Sequence, residues 1–315
     1  VAVFALVGEG TPLYWAGICE ALSVALAAAV CLAGSRRMGY RPPRLRLQPA
    51  VAWMHLRAAA PIALADVAWA GLWYSPLIVL GLLRHDASVG WFGSAHRVAL
   101  ALHTFVWWYF FNLLASITRS VGAPREELRR LIGRSLDLAA WAGVGMALAA
   151  APAPSTLTAV AYGEQFNEAG PLLRVLMWTL ALSALSGHYR FILLAYDLQD
   201  RLLLWTAVAA AAAGGLTYAL TDALGAAAGA IGLVAGNLLL LLLCFATTWR
   251  RVARIGFVGA ALRPLLAAGV AFAAGARIDG AWTAMAATGA VYCALFALIR
   301  RDLVREIFAR LNRAR

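Results

Sequence analysis

Lysine is missing from this chain, and charge of any kind is scarce. Only 13% of the 315 residues are charged, while 63% are hydrophobic, and the mean hydropathy is +0.76. An ordinary soluble domain is about a quarter charged and about half apolar. No single soluble core hides that excess, so soluble globular classes and disorder are excluded. Catalytic signatures are missing too. There is no HExxH, no GxSxG, no phosphate-binding glycine loop and no Cys/His metal set. Cysteine is rare, and Cys19, Cys31, Cys244 and Cys293 all fall inside apolar runs. Their spacing suits no metal, and thiols buried in lipid are poor disulfide partners, so they read as small core residues. Neither an enzyme nor a cofactor is expected. With no lysine, all 27 basic residues are arginine, and they outnumber 15 acidic ones for a net charge of +12. In so apolar a chain that excess marks membrane flanks and lipid headgroups, and it requires no nucleic acid.

What the chain does have is long apolar runs. A bilayer core needs about 20 apolar residues per helix. Nine stretches qualify: 12–34, 59–83, 98–118, 136–160, 171–195, 202–221, 226–248, 260–276 and 281–299. The expected fold is an all-α polytopic transmembrane bundle of about nine spans. Short connections at 197–201 and 222–225 make neighbouring spans antiparallel. Arginine-rich and arginine-poor connections alternate along the chain, with 23 arginines in the first set. The second set holds Arg84, Arg97 and Arg277, and Arg174 lies just inside the fifth span. The positive-inside tendency then puts the start of the chain outside and its end in the cytoplasm. Residues 1–7 (VAVFALV) read as the tail of an earlier helix, so upstream spans are expected. Two stretches, 124–137 and 301–311, are amphipathic and read as helices lying in the interface.

Ionisable groups within a span are costly and usually serve a cavity or a pathway. Glu20 falls about 13 Å into the first span at about 1.5 Å per residue, and Asp66 lies about as deep from the other side. Asp66, Trp69 and Trp73 share a helix face. A carboxylate beside an indole stripe suits a cavity for sugars or cations; a packed core is the equal alternative. Pro76 interrupts the same helix and is a candidate hinge. His96 and His103 share a face of the third span, beside Arg97, which can grip phosphate oxygens bidentately or snorkel to the interface. Arg174 and His188 lie on roughly one face of the fifth span, and His188 reads as a satisfied bundle histidine. Asp137, Arg190, Arg119 and Arg263 read as span-end anchors. Trp15, Trp53, Trp91, Trp249 and Trp282 suit an aromatic belt. The pairs Gly225/Gly229 and Gly232/Gly236 are small-xxx-small steps for close packing.

Three runs resemble a known family. Tyr162-Gly163-Glu164-Gln165-Phe166-Asn167-Glu168-Ala169, followed by Leu172, Leu173 and Leu176, resembles the "YG..F..A...L..L" stretch of polysaccharide-export flippases. These are the O-antigen and capsule flippases of the multidrug/oligosaccharidyl-lipid/polysaccharide superfamily. Gly90 to Arg97 (GWFGSAHR) resembles their "G.Y..A.R" step, with Phe92 in place of tyrosine. Leu224 to Ala230 (LGAAAGA) resembles their "G..GAA" helix start. The similarity covers about residues 12–300. Pro76 stands where a carboxylate is frequent in the family, and most of a first lobe has no counterpart here. The resemblance implies residues 1–58 as the last helix of that lobe with its linker, 59–250 as a six-helix lobe, 251–299 as an extra helix pair and 300–315 as a basic tail. It also implies alternating access, which turns a lipid-diphosphate-linked oligosaccharide across a bacterial cytoplasmic membrane for polysaccharide or lipopolysaccharide export. Arg97 is the best residue match. Arg174, His96, His103, Asp66, Trp69, Trp73 and Glu20 are cavity candidates. A coupling ion, H+ or Na+, would need Glu20 or Asp66. Partners would be membrane lipids, a polysaccharide polymerase and glycosyltransferases. Alternatives are a drug/cation antiporter of the same superfamily, a membrane enzyme of envelope glycan assembly using Glu164 or Glu168, and a non-transporting accessory chain.

The alternation makes a topological prediction. In a cysteine-free background, a cysteine at position 165 is expected to react with an impermeant maleimide added from outside. One at position 41 is expected to react only after permeabilisation.

Overall fold

The structure, a computed structural model, describes residues 14–39, 49–122 and 124–302. Contacts divide the chain between Leu56 and Arg57. In the first unit, α1 (Tyr14–Arg37) runs for 24 residues and ends on Arg36 and Arg37. Leu22, Val24, Leu26, Val30 and Leu32 are all exposed along it. At about 1.5 Å per residue its length is enough to cross a bilayer.

The second unit is a helix bundle. α2 (Pro49–Leu83) enters it at Arg57, and α3 (Ala87–Arg119), α4 (Arg125–Ala149), α5 (Pro154–Tyr162) and α6 (Ala169–Leu176) follow. Then come α7 (Trp178–Ala195), α8 (Gln199–Leu224), α9 (Ala227–Arg251), α10 (Val258–Gly275) and α11 (Ala281–Ile299). Among the described residues there is no strand, and eight segments are long and apolar enough to cross a membrane. They run from α2 to α11, with α6 and α7 counting as one and the short α5 left out.

Several expected boundaries move. The stretch 124–137 is not a separate interfacial helix but the first half of α4. Leu128, Ile132 and Leu136 recur every four residues and are fully buried, and Ala140, Val144 and Leu148 continue the stripe. An apolar face already packed against protein has none left for lipid. At the other end α4 stops at Ala149, short of the expected 160, because Pro152 and Pro154 cannot continue a helix. The expected span 171–195 breaks at Met177 between α6 and α7. The expected interfacial helix at 301–311 lies, beyond Asp302, outside the described residues.

α7 is the hub. It packs against α3, α4 and α9, while α9 packs tightly on α8. Its sequence from Ala181 to Gly187 is built of small residues with one leucine inside each step (ALSALSG), so neighbours come close. A side-chain carbon added at Gly143 of α4 would lie 2.9 Å from the Cα of Ala181. Polar ties cross the same contacts. Ser183 Oγ donates to Asn237 Oδ1 at 3.3 Å, and Tyr189 OH donates to the Ile255 carbonyl at 3.1 Å. Between α8 and α9, Gly232 and Gly236 face Ala209, Ala213 and Thr217. Of the glycine steps read from the sequence, Gly232/Gly236 is a packing contact, whereas Gly225 closes the turn after α8 at φ +55° and Gly229 alone packs, against Leu80 and Phe92. The terminal pair α10–α11 rests on α4, where Tyr292 OH donates to the Trp141 carbonyl at 2.8 Å and Arg300 pairs with Asp137.

The connections sort themselves by end. Arg129 donates to the Arg254 carbonyl, joining two arginine-rich connections. At the arginine-poor end Arg84 lies against the turn at Gly225, and residues 152–156 line one groove with residues 278–281. The four cysteines are all free.

Close packing at α8–α9 is testable. A methyl group at Gly232 would stand 2.6 Å from the Ala213 carbonyl oxygen, whereas Gly269 has open space around it. Gly232→Ala is expected to destabilise the chain by about 1–3 kcal/mol. Gly269→Ala is expected to be neutral or to stabilise by up to about 1 kcal/mol. Unfolding in detergent micelles, followed by circular dichroism, reads both.

Candidate functional site

The best-formed polar and aromatic constellation belongs to the hairpin of α2 and α3. Only Arg84 to Asp86 separates the two helices, and Asp86 caps α3 by accepting from the Ser88 amide at 2.9 Å. The Ser88 hydroxyl bonds the same oxygen. That bond, then the Ser88 amide and the nearby Arg84 guanidinium, hold the Asp86 carboxyl below its ordinary range. The cap fixes the register in which the helices face each other.

That register makes the sequence spacing meaningful. Trp69 and Trp73, four apart on α2, meet His96, His103 and Trp107 on α3. The Trp73 ring lies 4.6 Å from the His103 ring and 5.9 Å from His96. Trp69 lies 5.5 Å from His103 and 5.4 Å from Trp107. Phe92 stacks on His96 at 5.9 Å. Trp73, His96 and His103 are buried at 0%, 1% and 3% exposure. The choice between core and cavity therefore splits within one pair of indoles. Trp73 is core, while half-buried Trp69 lines a groove of about 300 Å³ with His103, Thr104, Trp107, Trp108 and Phe111. His96 Nε2 and Trp73 Nε1 are buried, with no hydrogen-bond partner among the described residues.

Arg190 belongs to this constellation and was missed as a span-end anchor. It projects from α7 into electrostatic reach of Asp66 on α2, His103 on α3 and Cys244 on α9. Its Nε is buried and lacks a hydrogen-bond partner among the described residues. Linear counting put Arg190 near the end of its span, but the hydrophobic signal cannot say which neighbours that level of the helix meets. Its position one turn before Leu194 on a tightly packed small-residue helix was the only hint. Asp66 itself is exposed.

The other candidates lie elsewhere. Arg97 is exposed although its neighbour His96 is not, about 15 Å along α3 at about 1.5 Å per residue. Arg174 lines a separate groove of about 560 Å³ with Ser155, Thr156 and Asp279. Glu20 sits in α1, but its side chain is outside the described residues. Pro76 is buried inside α2, which continues through it without a break. His188 has both nitrogens engaged. Nδ1 faces the Ala184 carbonyl at 2.9 Å, and Nε2 faces Ser135 Oγ at 2.8 Å. A carbonyl only accepts, so Nδ1 carries the proton; in the neutral ring Nε2 accepts from Ser135, which accepts from Tyr109 OH at 2.5 Å.

The run 162–169 is a corner. Gly163 has φ +95°, which favours glycine, and Tyr162 packs its ring 5.5 Å from Phe166. Ala169, Leu172, Leu173 and Leu176 are buried. Glu164 and Glu168 are both exposed. The other two runs touch each other, because Gly229 leaves room for the Phe92 ring. Among the described residues no group of three or more His, Cys, Asp or Glu is placed to hold a metal ion.

The split between the two indoles has a measurable consequence. Trp73→Ala is expected to cost about 3–5 kcal/mol of stability. Trp69→Ala is expected to cost less, on the order of 1–2 kcal/mol. Denaturant unfolding of the two variants in the same micelle checks the order.

Compared with protein-family models, curated proteins and solved structures, the chain matches none.

Proposed function

We propose that this multi-pass membrane protein is a translocase that turns a lipid-diphosphate-linked oligosaccharide across a bacterial cytoplasmic membrane by alternating access. The observation that carries the reading is Arg190. It is an arginine inside a membrane bundle, with a buried Nε that has no hydrogen-bond partner among the described residues, and it lies within electrostatic reach of His103, which lines a groove with Trp69, Trp107 and Trp108. A guanidinium matches the oxygens of a diphosphate, and indole faces suit the apolar faces of sugars. Exposed Arg97 on the same helix as His103 offers a second cation along the path. The likeness of the three short runs to polysaccharide-export flippases supports the same reading, and so does the contact between Phe92 and Gly229, which places two of those runs together.

Among the described residues Asp66 is the carboxylate within electrostatic reach of this arginine, and it favours a second reading. In a drug/cation antiporter it would bind the cargo or the coupling cation, H+ or Na+. The two readings differ in which charge matters most.

Both are tested in cells that depend on the protein for surface polysaccharide. Losing a charge-assisted hydrogen bond of about 1.5–3 kcal/mol corresponds to roughly 10- to 100-fold. Arg190→Gln is expected to cut surface polysaccharide by that order at unchanged membrane abundance, with Arg97→Ala showing a smaller loss. Drug susceptibility is expected to stay unchanged in Asp66→Asn. Normal export in both arginine variants, or drug sensitivity in Asp66→Asn, overturns the flippase reading.

A further inference from the structure

A second cationic site lies far from the aromatic hairpin, where α4 begins and α9 ends. A groove of about 870 Å³ there is lined by Arg125, Arg129, Arg250, Arg251 and Arg254, with Glu126 as the one acid. Glu126 pairs with Arg129 at 3.4 Å. Arg129 also donates Nε and Nη2 to the Arg254 carbonyl at 3.2 and 3.1 Å, which holds the two walls together. Among the described residues Arg125, Arg250, Arg251 and Arg254 make no ion pair, although all four are exposed. Four like charges around one hollow repel one another unless an anion sits among them. The floor is closed by buried Val252 and Ala253.

The surroundings select the anion. Leu238, Leu242 and Trp249 are exposed along α9 at offsets of four and eleven, hence on one face. They form an apolar stripe leading from mid-span to the rim of the groove. An indole at the end of a span sits at headgroup level. Acyl chains fit the stripe and phosphates fit the groove, so the geometry points to an anionic phospholipid. Four uncompensated guanidinium groups and a hollow of this size suit a headgroup with two phosphates rather than one. We propose that the groove between the start of α4 and the end of α9 binds the headgroup of a two-phosphate phospholipid from the surrounding leaflet.

The test uses the full chain in neutral detergent, titrated with fluorescent diphosphatidylglycerol. The comparison ligands are phosphatidylcholine and inorganic pyrophosphate. One charge near a lipid surface is worth about fivefold in affinity, so the combined variant Arg250→Gln, Arg251→Gln, Arg254→Gln is expected to weaken binding on the order of a hundredfold. Arg277→Gln, in the connection between α10 and α11, is expected to change nothing. The same three positions changed to lysine are expected to keep binding within a few-fold, which separates lost charge from lost folding. Equal binding by wild type and the glutamine variant overturns the proposal, as does equal loss in the lysine variant. Pyrophosphate displacing the lipid at equal concentration also overturns it, because the groove would then serve a soluble polyanion.

Discussion

Everything in the second unit depends on how closely helices approach α7. Lipid is as apolar as leucine, so burying leucine does little to hold two spans together. Contact instead needs surfaces thin enough for backbones to meet. The run from Ala181 to Gly187 supplies such a surface, and Gly143 on α4 presents another to it. With α3, α4 and α9 drawn in, the side chains that α7 carries into those interfaces become fixed. Ser183 reaches Asn237, His188 reaches Ser135, and Tyr189 reaches the connection after α9. Arg190, one residue on, is then carried into electrostatic reach of groups on α2, α3 and α9. The polar interior follows from the packing and does not produce it.

Helix number and type were legible because apolar run length is a direct physical signal. The breaks were harder to see. Proline at 152 and 154 ended α4 early, yet in the sequence these residues sit within an apolar stretch that reads as membrane through to residue 160. The stretch 124–137 was recognised as amphipathic, with Leu128, Leu131, Ile132 and Ser135 on one side, but periodicity does not say whether protein or lipid covers that side. In the structure α7 and its neighbours cover it. The histidine pair and the two indoles were found from spacing alone, since offsets of seven and four place them on single faces. Arg190 was not, because its role depends on three other helices. Arg174 lies apart from the hairpin: it sits in α6, across the break at Met177 from His188, and lines the loop groove.

The chain Tyr109–Ser135–His188 also has a direction that sequence could not give. Its end on the Ala184 carbonyl fixes the proton on Nδ1, and the hydroxyl donors are then ordered back to Tyr109. The three side chains come from α3, α4 and α7. Each donor in it is used, which is what a buried polar group among apolar helices requires. Among the described residues the interior holds this satisfied polar chain and also buried atoms without a hydrogen-bond partner, among them Arg190 Nε, His96 Nε2 and Trp73 Nε1.

α10 and α11 pack on each other and touch the remainder chiefly through α4. They are fastened to it by an apolar cluster in which Trp141, Val144 and Leu148 meet Ala267, Ala271 and Tyr292, by a tyrosine hydroxyl on a backbone carbonyl, and by one arginine–carboxylate pair near the end of α11. Such a pair behaves as a buttress against a single pillar. It stands outside the keystone of α3, α4, α7 and α9 and widens the bundle's wall on the α4 side.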